Sequence, residues 1–311
     1  MTCDLMFIGH ISTDYVENRQ GVKVQAGGSA LYASMAAKTL LMNVALVSAV
    51  GKDYKFTDAL WIVGTDYVKT VNMPSTRFNI RYNESGEADY LEAAYGAGAR
   101  ITASIIPTQL LAPETIVHIS PMQPTKVDQI VKKIRMVSPK TRISVNTWIN
   151  YIKQSRRNKE LLRHLAQEVD FFILNDNEAK ALTDTSSIPA ALTLLKARML
   201  VITLGELGAI AKGRDTGIQM IPALAMPERK IVDTTGAGDV WCGAFLATYK
   251  ITGELLKSVT IASILSSIKC SGWNCKKLIN LQFRKPDNII EYVIGLKEGA
   301  LQRRLPDYSV P

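Results

Sequence analysis

Lys230 to Leu246 reads K-I-V-D-T-T-G-A-G-D-V-W-C-G-A-F-L: an apolar run ending at Ile231-Val232, two glycines and two aspartates, then a small-residue segment of helical length. Glycines in such a place let the backbone approach a ligand closely. The geometry is a loop feeding a helix N-terminus, where outward-pointing N–H groups and the helix dipole favour a phosphate or a developing negative charge. Asp239 has two readings there. It is a helix-capping residue, or a carboxylate beside an anion nest that takes a proton from an alcohol attacking a phosphoryl group. The phosphate loop G-x-x-x-x-G-K-[ST] is absent.

The rest of the chain bounds what this loop can belong to. It has 311 residues, 47% hydrophobic and 21% charged, enough for a large globular core. Lys and Arg outnumber Asp and Glu 37 to 28, a balance that favours anionic partners. The basic residues are scattered, without zinc-finger spacing or an aromatic RNA-binding signature, so nucleic acid is not the expected partner. Cys3, Cys242, Cys270 and Cys275 form no paired framework and no zinc spacing. With no signal-peptide pattern and no long apolar run, we expect a reduced cytoplasmic protein that does not span a membrane.

Short apolar runs suited to buried strands recur at 5–9, 44–50, 116–119, 143–145, 171–174 and 200–204. Segments of helical period lie between them at 30–41, 126–137, 159–168 and 177–182. The alternation predicts an α/β fold with a mostly parallel sheet. Two places break it: a polar stretch at 13–26 with a turn at Gln20-Gly21, and 76–95, which alternates as a hairpin around the four turn residues E-S-G-E. Together they read as a small sheet over a cleft, or as a hairpin extending the edge of the main sheet.

D-T-T-G-A-G-D-x-x-x-G-A-F (Asp233 to Phe245) resembles the C-terminal signature of the PfkB, or ribokinase-like, carbohydrate kinases. Further stretches agree in order: I-G-H-I-S-T-D (Ile8 to Asp14), Q-A-G-G-S-A-L-Y-A-S (Gln25 to Ser34), A-G-A-R (Ala97 to Arg100), F-I-L-N-D-N-E (Phe171 to Glu178), V-I-T-L-G-E-L-G-A (Val201 to Ala209) and K-C-S-G-W-N-C (Lys269 to Cys275). The resemblance implies a ribokinase-like three-layer fold with a mostly parallel central sheet and a small β-lid. It implies one kinase domain over 1–311, with lid segments near 13–26 and 76–95.

The activity implied is ATP-dependent transfer of the γ-phosphoryl group to a hydroxyl of a sugar, polyol or nucleoside. Asp239 is then the general base and Gly236, Ala237 and Gly238 the anion hole. Asp14, Gly27 and Gly28 hold the substrate. Asn175 and Glu178 help hold Mg²⁺ and phosphate through water, while the residues alone read as a capping box. Thr203, Gly205, Gly208 and Gly272 lie on the nucleotide side. Asp233 and Thr235 stand where several relatives bind an activating monovalent cation such as K⁺. A catalytically silent ligand-binding or regulatory protein on the same fold is the alternative, and the resemblance leaves room for a homodimer.

One departure bears on the substrate: ribokinases carry a ribose-contacting Asn four residues after the second hinge glycine, and here that position is Tyr32. Tyr32 is either a substrate-facing aromatic, disfavouring free ribose, or a packing residue. Asn146, at a strand end, is a candidate cleft residue. His10, His118 and His164 show no ligand spacing and are assigned to structure or surface, and Trp241 and Cys242 to core packing.

Overall fold

The computed structural model describes residues 3–84, 86–213, 217–223 and 231–304, with side chains described as far as 295. Lys230, Ser85 of the E-S-G-E turn and the last seven residues of the expected 1–311 domain lie outside the described residues.

From the N-terminus, β1 (Leu5–Ile8) enters the core and the chain leaves it at once as a hairpin, β2 (Ser12–Asn18) and β3 (Gly21–Gly27). It returns through α1 (Ser29–Lys38), β4 (Val44–Gly51), α2 (Thr57–Val63) and β5 (Val68–Val71). A second excursion follows, β6 (Thr76–Tyr82) and β7 (Ala88–Ala94). Then come β8 (Ile116–Ile119), α3 (Pro124–Val137), β9 (Arg142–Asn146), α4 (Ile149–Gln154), α5 (Arg156–Glu168), β10 (Phe171–Asn175), α6 (Asp176–Thr183), α7 (Ile188–Leu194) and β11 (Met199–Thr203). The chain closes with β12 (Ala209–Gly213), β13 (Gly217–Ile221), α8 (Ala237–Thr252), α9 (Leu255–Cys270) and α10 (Pro286–Arg304).

The large sheet runs β13-β12-β11-β10-β9-β8-β1-β4-β5, parallel from β11 to β5, with β12 and β13 added antiparallel at one edge. Its strands are apolar on both faces because helices cover both. Leu5 and Phe7 of β1 pack into a cluster with α1, α8 and α9, while Met6 and Ile8 point the other way, into a cluster with α3, α5 and α6. β10 alternates likewise, Phe171 and Ile173 to one side, Phe172 and Leu174 to the other. The period-two side-chain geometry of a strand thus makes three layers from near-continuous apolar runs.

The two excursions meet as a separate four-stranded sheet, β3-β2-β6-β7, joined by parallel pairing of β2 with β6. The edge-extension reading of the 76–95 hairpin is therefore corrected: this hairpin pairs with β2, not with the main sheet. Its loop is Asn83–Glu87, one residue longer than the expected turn, because β6 stops at Tyr82. Asn83 instead accepts the Glu87 N–H through its side chain and the Gly86 N–H through its carbonyl. Among the described residues no helix is long and apolar enough to cross a membrane.

The parallel strands end on one edge, where ligands of open α/β sheets collect. Asn146 ends β9, Asn175 ends β10 and Thr203 ends β11. All three line one cavity of about 360 Å³, which the small sheet walls with Phe78, Ile80, Tyr82 and Tyr90.

Candidate active site

The floor of the cavity is the start of α8. Gly236 adopts φ 75°, a left-handed conformation that suits glycine. Space demands glycine as well, since a Cβ there would sit 2.4 Å from Cδ2 of the Tyr32 ring. The Ala237 N–H turns back to the Thr234 carbonyl at 3.0 Å. Among the described residues, the N–H groups of Gly238 and Asp239 have no backbone acceptor, as expected in a first helical turn. A Cβ on Gly238 would meet nothing within 4 Å, so the approach to these donors is open.

Asp239 lines the cavity beside these amides, and burial lifts its carboxyl to about 7, against lowering by the Asn146 amide and Lys269. Its surface is partly open to the cavity, which moderates that upward push. Asn146 also reaches Cys242 Sγ at 3.9 Å, and its own Oδ1 is buried without a protein partner. Across the floor, burial raises Glu178 to about 8, reinforced by the charge of Asp239. The capping box at Glu178 is complete: Asn175 Oδ1 accepts the Glu178 N–H at 2.8 Å and Glu178 Oε2 accepts the Asn175 N–H at 3.0 Å. Both residues also line the cavity, so the structural role does not remove them from the site.

Asp14, expected to hold the substrate, is 2% exposed and Ser12 Oγ donates to its Oδ1 at 2.6 Å. Burial raises this carboxyl to about 7, with the charges of Asp233 and Asp239 adding to the push. Gly27 makes room for it, since a Cβ there would lie 1.8 Å from Asp14 Oδ2. Gly28 has φ 102° and presses against the His10 carbonyl.

The structure therefore brings Asp14, Gly28, Tyr32, Asn146, Asn175, Glu178, Thr203, Thr235, Gly236, Ala237, Gly238 and Asp239 to one cavity. Gly27, Asp233, Gly205, Gly208 and Gly272 are not among the residues lining it. Gly205 and Gly208 form the turn between β11 and β12, and Gly272 follows the end of α9 against Lys277.

Tyr32 borders the cavity yet is 2% exposed, and its hydroxyl donates to the Ala26 carbonyl at 3.2 Å. Cys242 packs in the core as expected and His10 is buried, and both also border the cavity. Burial also pushes His10 down to about 4.

An aromatic wall was not foreseen. Tyr90 and Trp148 meet edge to face at 4.6 Å between ring centres, Trp148 meets Tyr151 at 5.4 Å, and Phe78 meets Tyr90 at 5.9 Å. The rings come from β6, β7, the β9–α4 connection and α4, so no local pattern joins them. The aromatic positions of the alternating hairpin were the one available signal.

Residues 3–278 match the pfkB family carbohydrate kinases, and the chain belongs to that family. It is accordingly a phosphotransferase with a hydroxyl acceptor. Among curated relatives it is similar to a cytidine kinase of Thermococcus kodakarensis, 28% identical over 256 residues that cover 79% of this chain and 88% of the relative. Among solved structures it is similar in fold to a Burkholderia thailandensis nucleoside kinase in complex with inosine, with TM-score 0.74, 18% identity and 94% and 97% of the two chains covered. A putative ribokinase II from E. coli in complex with ATP and Mg²⁺ aligns with TM-score 0.74, 16% identity and 94% and 99% coverage.

Proposed function

We propose that the protein is a nucleoside kinase, transferring the γ-phosphoryl group of ATP to a hydroxyl of the sugar moiety. The observation that supports this reading is that one cavity is lined both by Asp14, Asp239 and the start of α8 and by the rings of Phe78, Tyr90, Trp148 and Tyr151. A planar base offers such rings a larger flat face to pack against than a free sugar does. The cytidine kinase and the inosine-bound nucleoside kinase support the same choice.

In this reading Asp14 orients the sugar hydroxyls and Asp239 takes the proton of the attacking one. The first-turn amides of α8 stabilise charge developing on the transferred group. Thr203, with the turn at Gly205 and Gly208, faces the nucleotide.

Glu178 suits a share in Mg²⁺ binding. It is a buried carboxyl near Asp239, and among the described residues no three His, Cys, Asp or Glu converge into an all-protein metal cage. Mg²⁺ is commonly held by one or two carboxylates together with substrate phosphates and water, and it would neutralise phosphate charge. The four unpaired thiols suit a cytoplasmic setting.

The test is ATP turnover with cytidine, uridine, inosine, adenosine, ribose, deoxyribose and myo-inositol, with the phosphorylated product identified. A nucleoside should give the highest kcat/KM. A free sugar or polyol ranking first would reject the assignment of the aromatic wall.

A further inference from the structure

One ion pair close to the phosphate loop is wholly enclosed. Lys269, in the last turn of α9, and Asp233, at the head of the D-T-T-G-A-G-D loop, have no side-chain surface exposed. Lys269 Nζ donates to the Asp233 carbonyl at 2.7 Å and to Asp233 Oδ2 at 3.2 Å. Oδ2 also accepts Gln25 Nε2 at 3.0 Å and the Asn274 N–H at 3.1 Å, while Oδ1 accepts the Thr235 N–H at 2.9 Å. A carboxylate offers about four lone-pair sites; three donors crowd Oδ2 and one meets Oδ1.

These contacts bear on the monovalent cation expected at Asp233 and Thr235. Such an ion needs the carbonyl and carboxylate oxygens of this loop, and the Asp233 carbonyl and Oδ2 already face an ammonium. Burial would raise the Asp233 carboxyl, but Lys269, Gln25 and Thr235 bring it net below its ordinary value, so the carboxylate is held ionised by the protein's own groups. The residues present do not fit K⁺ as an added ligand.

We propose that the ε-ammonium of Lys269 replaces the activating monovalent cation and holds the 233–238 loop in its anion-binding shape, making the protein indifferent to K⁺. Lys269 is a positioning residue. It acts through Asp233 on the Thr235 N–H, next to the Gly236 turn. Its Nζ also lies 5.5 Å from the centre of the Tyr32 ring, the ring on which Gly236 rests. One turn earlier on α9, Ser266 Oγ donates to the Ala237 carbonyl at 2.9 Å. α9 therefore braces the loop along its length. The inference rests on reading 233–239 as the phosphate site, but its physical content, which cation the loop needs, can be measured without turnover.

The experiment compares thermal unfolding and ATP affinity of the full chain in KCl, NaCl and tetramethylammonium chloride at equal ionic strength. The wild-type protein should give the same melting temperature and ATP affinity in all three. Lys269→Ala opens space and leaves Asp233 unpaired. It should melt lower, and K⁺ should restore both its melting temperature and its ATP affinity relative to tetramethylammonium, the latter roughly tenfold.

A wild-type protein that binds ATP more tightly or melts higher in K⁺ than in tetramethylammonium overturns the proposal. So does a folded Lys269→Ala protein that K⁺ leaves unchanged, because the ammonium would then be an ordinary ion-pair partner. If Lys269→Ala fails to fold in every salt, the wild-type comparison decides alone. Absence of turnover on the substrate panel, with the cation results as expected, would count against the nucleoside assignment and not against Lys269.

Discussion

Asp14 is the residue whose replacement should separate stability from function most cleanly. It is 2% exposed, accepts one hydroxyl from Ser12, and has its carboxyl raised from 3.8 to about 7, chiefly by burial. Between those two values the folded protein holds a proton that the unfolded chain has released. The unfolded state binds fewer protons there, so stability falls as pH rises and the loss is complete above about 7. At about 1.4 kcal/mol for each tenfold, carrying the buried charge costs roughly 4 kcal/mol.

Asp14→Asn has no charge to bury. Measured by urea unfolding from pH 5 to 8, with unchanged slope, the stability of the variant relative to wild type should rise with pH, gaining most of that amount by pH 8. The baseline offset also contains the Ser12 hydrogen bond, so the pH dependence of the difference is the diagnostic quantity. A flat difference across this range would refute the claim that the folded site carries a proton on Asp14 near neutrality. A substrate whose hydroxyls donate to Asp14 should stabilise its charged form and release a proton on binding. The site thus trades stability for affinity.

Three further outcomes are expected. Asp239→Asn should lose about 10² to 10⁴ in kcat with ATP affinity retained in equilibrium titration. In the wild type, kcat/KM should fall as pH drops through about 7, where burial makes Asp239 hold its proton; near-normal turnover in the folded variant would remove Asp239 from the mechanism. Glu178→Gln should raise the Mg²⁺ needed for half-maximal rate, whereas a change limited to melting temperature would leave only the capping box. Trp148→Ala should lower kcat/KM for nucleosides by about 10- to 100-fold, in line with 1.4 to 3 kcal/mol for a lost aromatic contact. It should change the rate with free ribose far less, and an equal loss on both would argue for a packing role.

What could be read before the structure was local. The apolar runs at 116–119 and 171–174 became β8 and β10 because continuous apolar residues without helical period have few other places to go. The loop before α8 was legible because its glycines, its aspartate and the following small-residue helix are contiguous. β12 and β13 were missed: added antiparallel at the sheet edge, with β13 mostly exposed, they lack the apolar runs that marked the buried strands. The aromatic wall and Lys269 were missed for another reason. Trp148 meets Tyr90, and Lys269 meets Asp233, only after distant segments fold together. A lysine near the end of an apolar helix ordinarily reads as a solvent-facing terminus. Tyr32 was legible as an aromatic near the hinge, but the inward turn of its hydroxyl to Ala26 depends on β3 passing beside it.

The small sheet is made of two detours from the main chain path, leaving after β1 and after β5. Its outer strands are largely solvent-facing, and of its buried apolar residues Val16 and Ile80 belong to neither of the two main apolar clusters, leaving Ala26 of β3 as its tie to one of them. Opening these strands would therefore forfeit little of the energy that holds the three layers together, and their amides should exchange with deuterium far sooner than those of β1 or β10. Heritable variation is partitioned in the same way. Side chains at Phe78, Ile80 or Tyr90 can be exchanged without touching the start of α8, so a lineage could acquire a new acceptor while its phosphate chemistry stayed as it was.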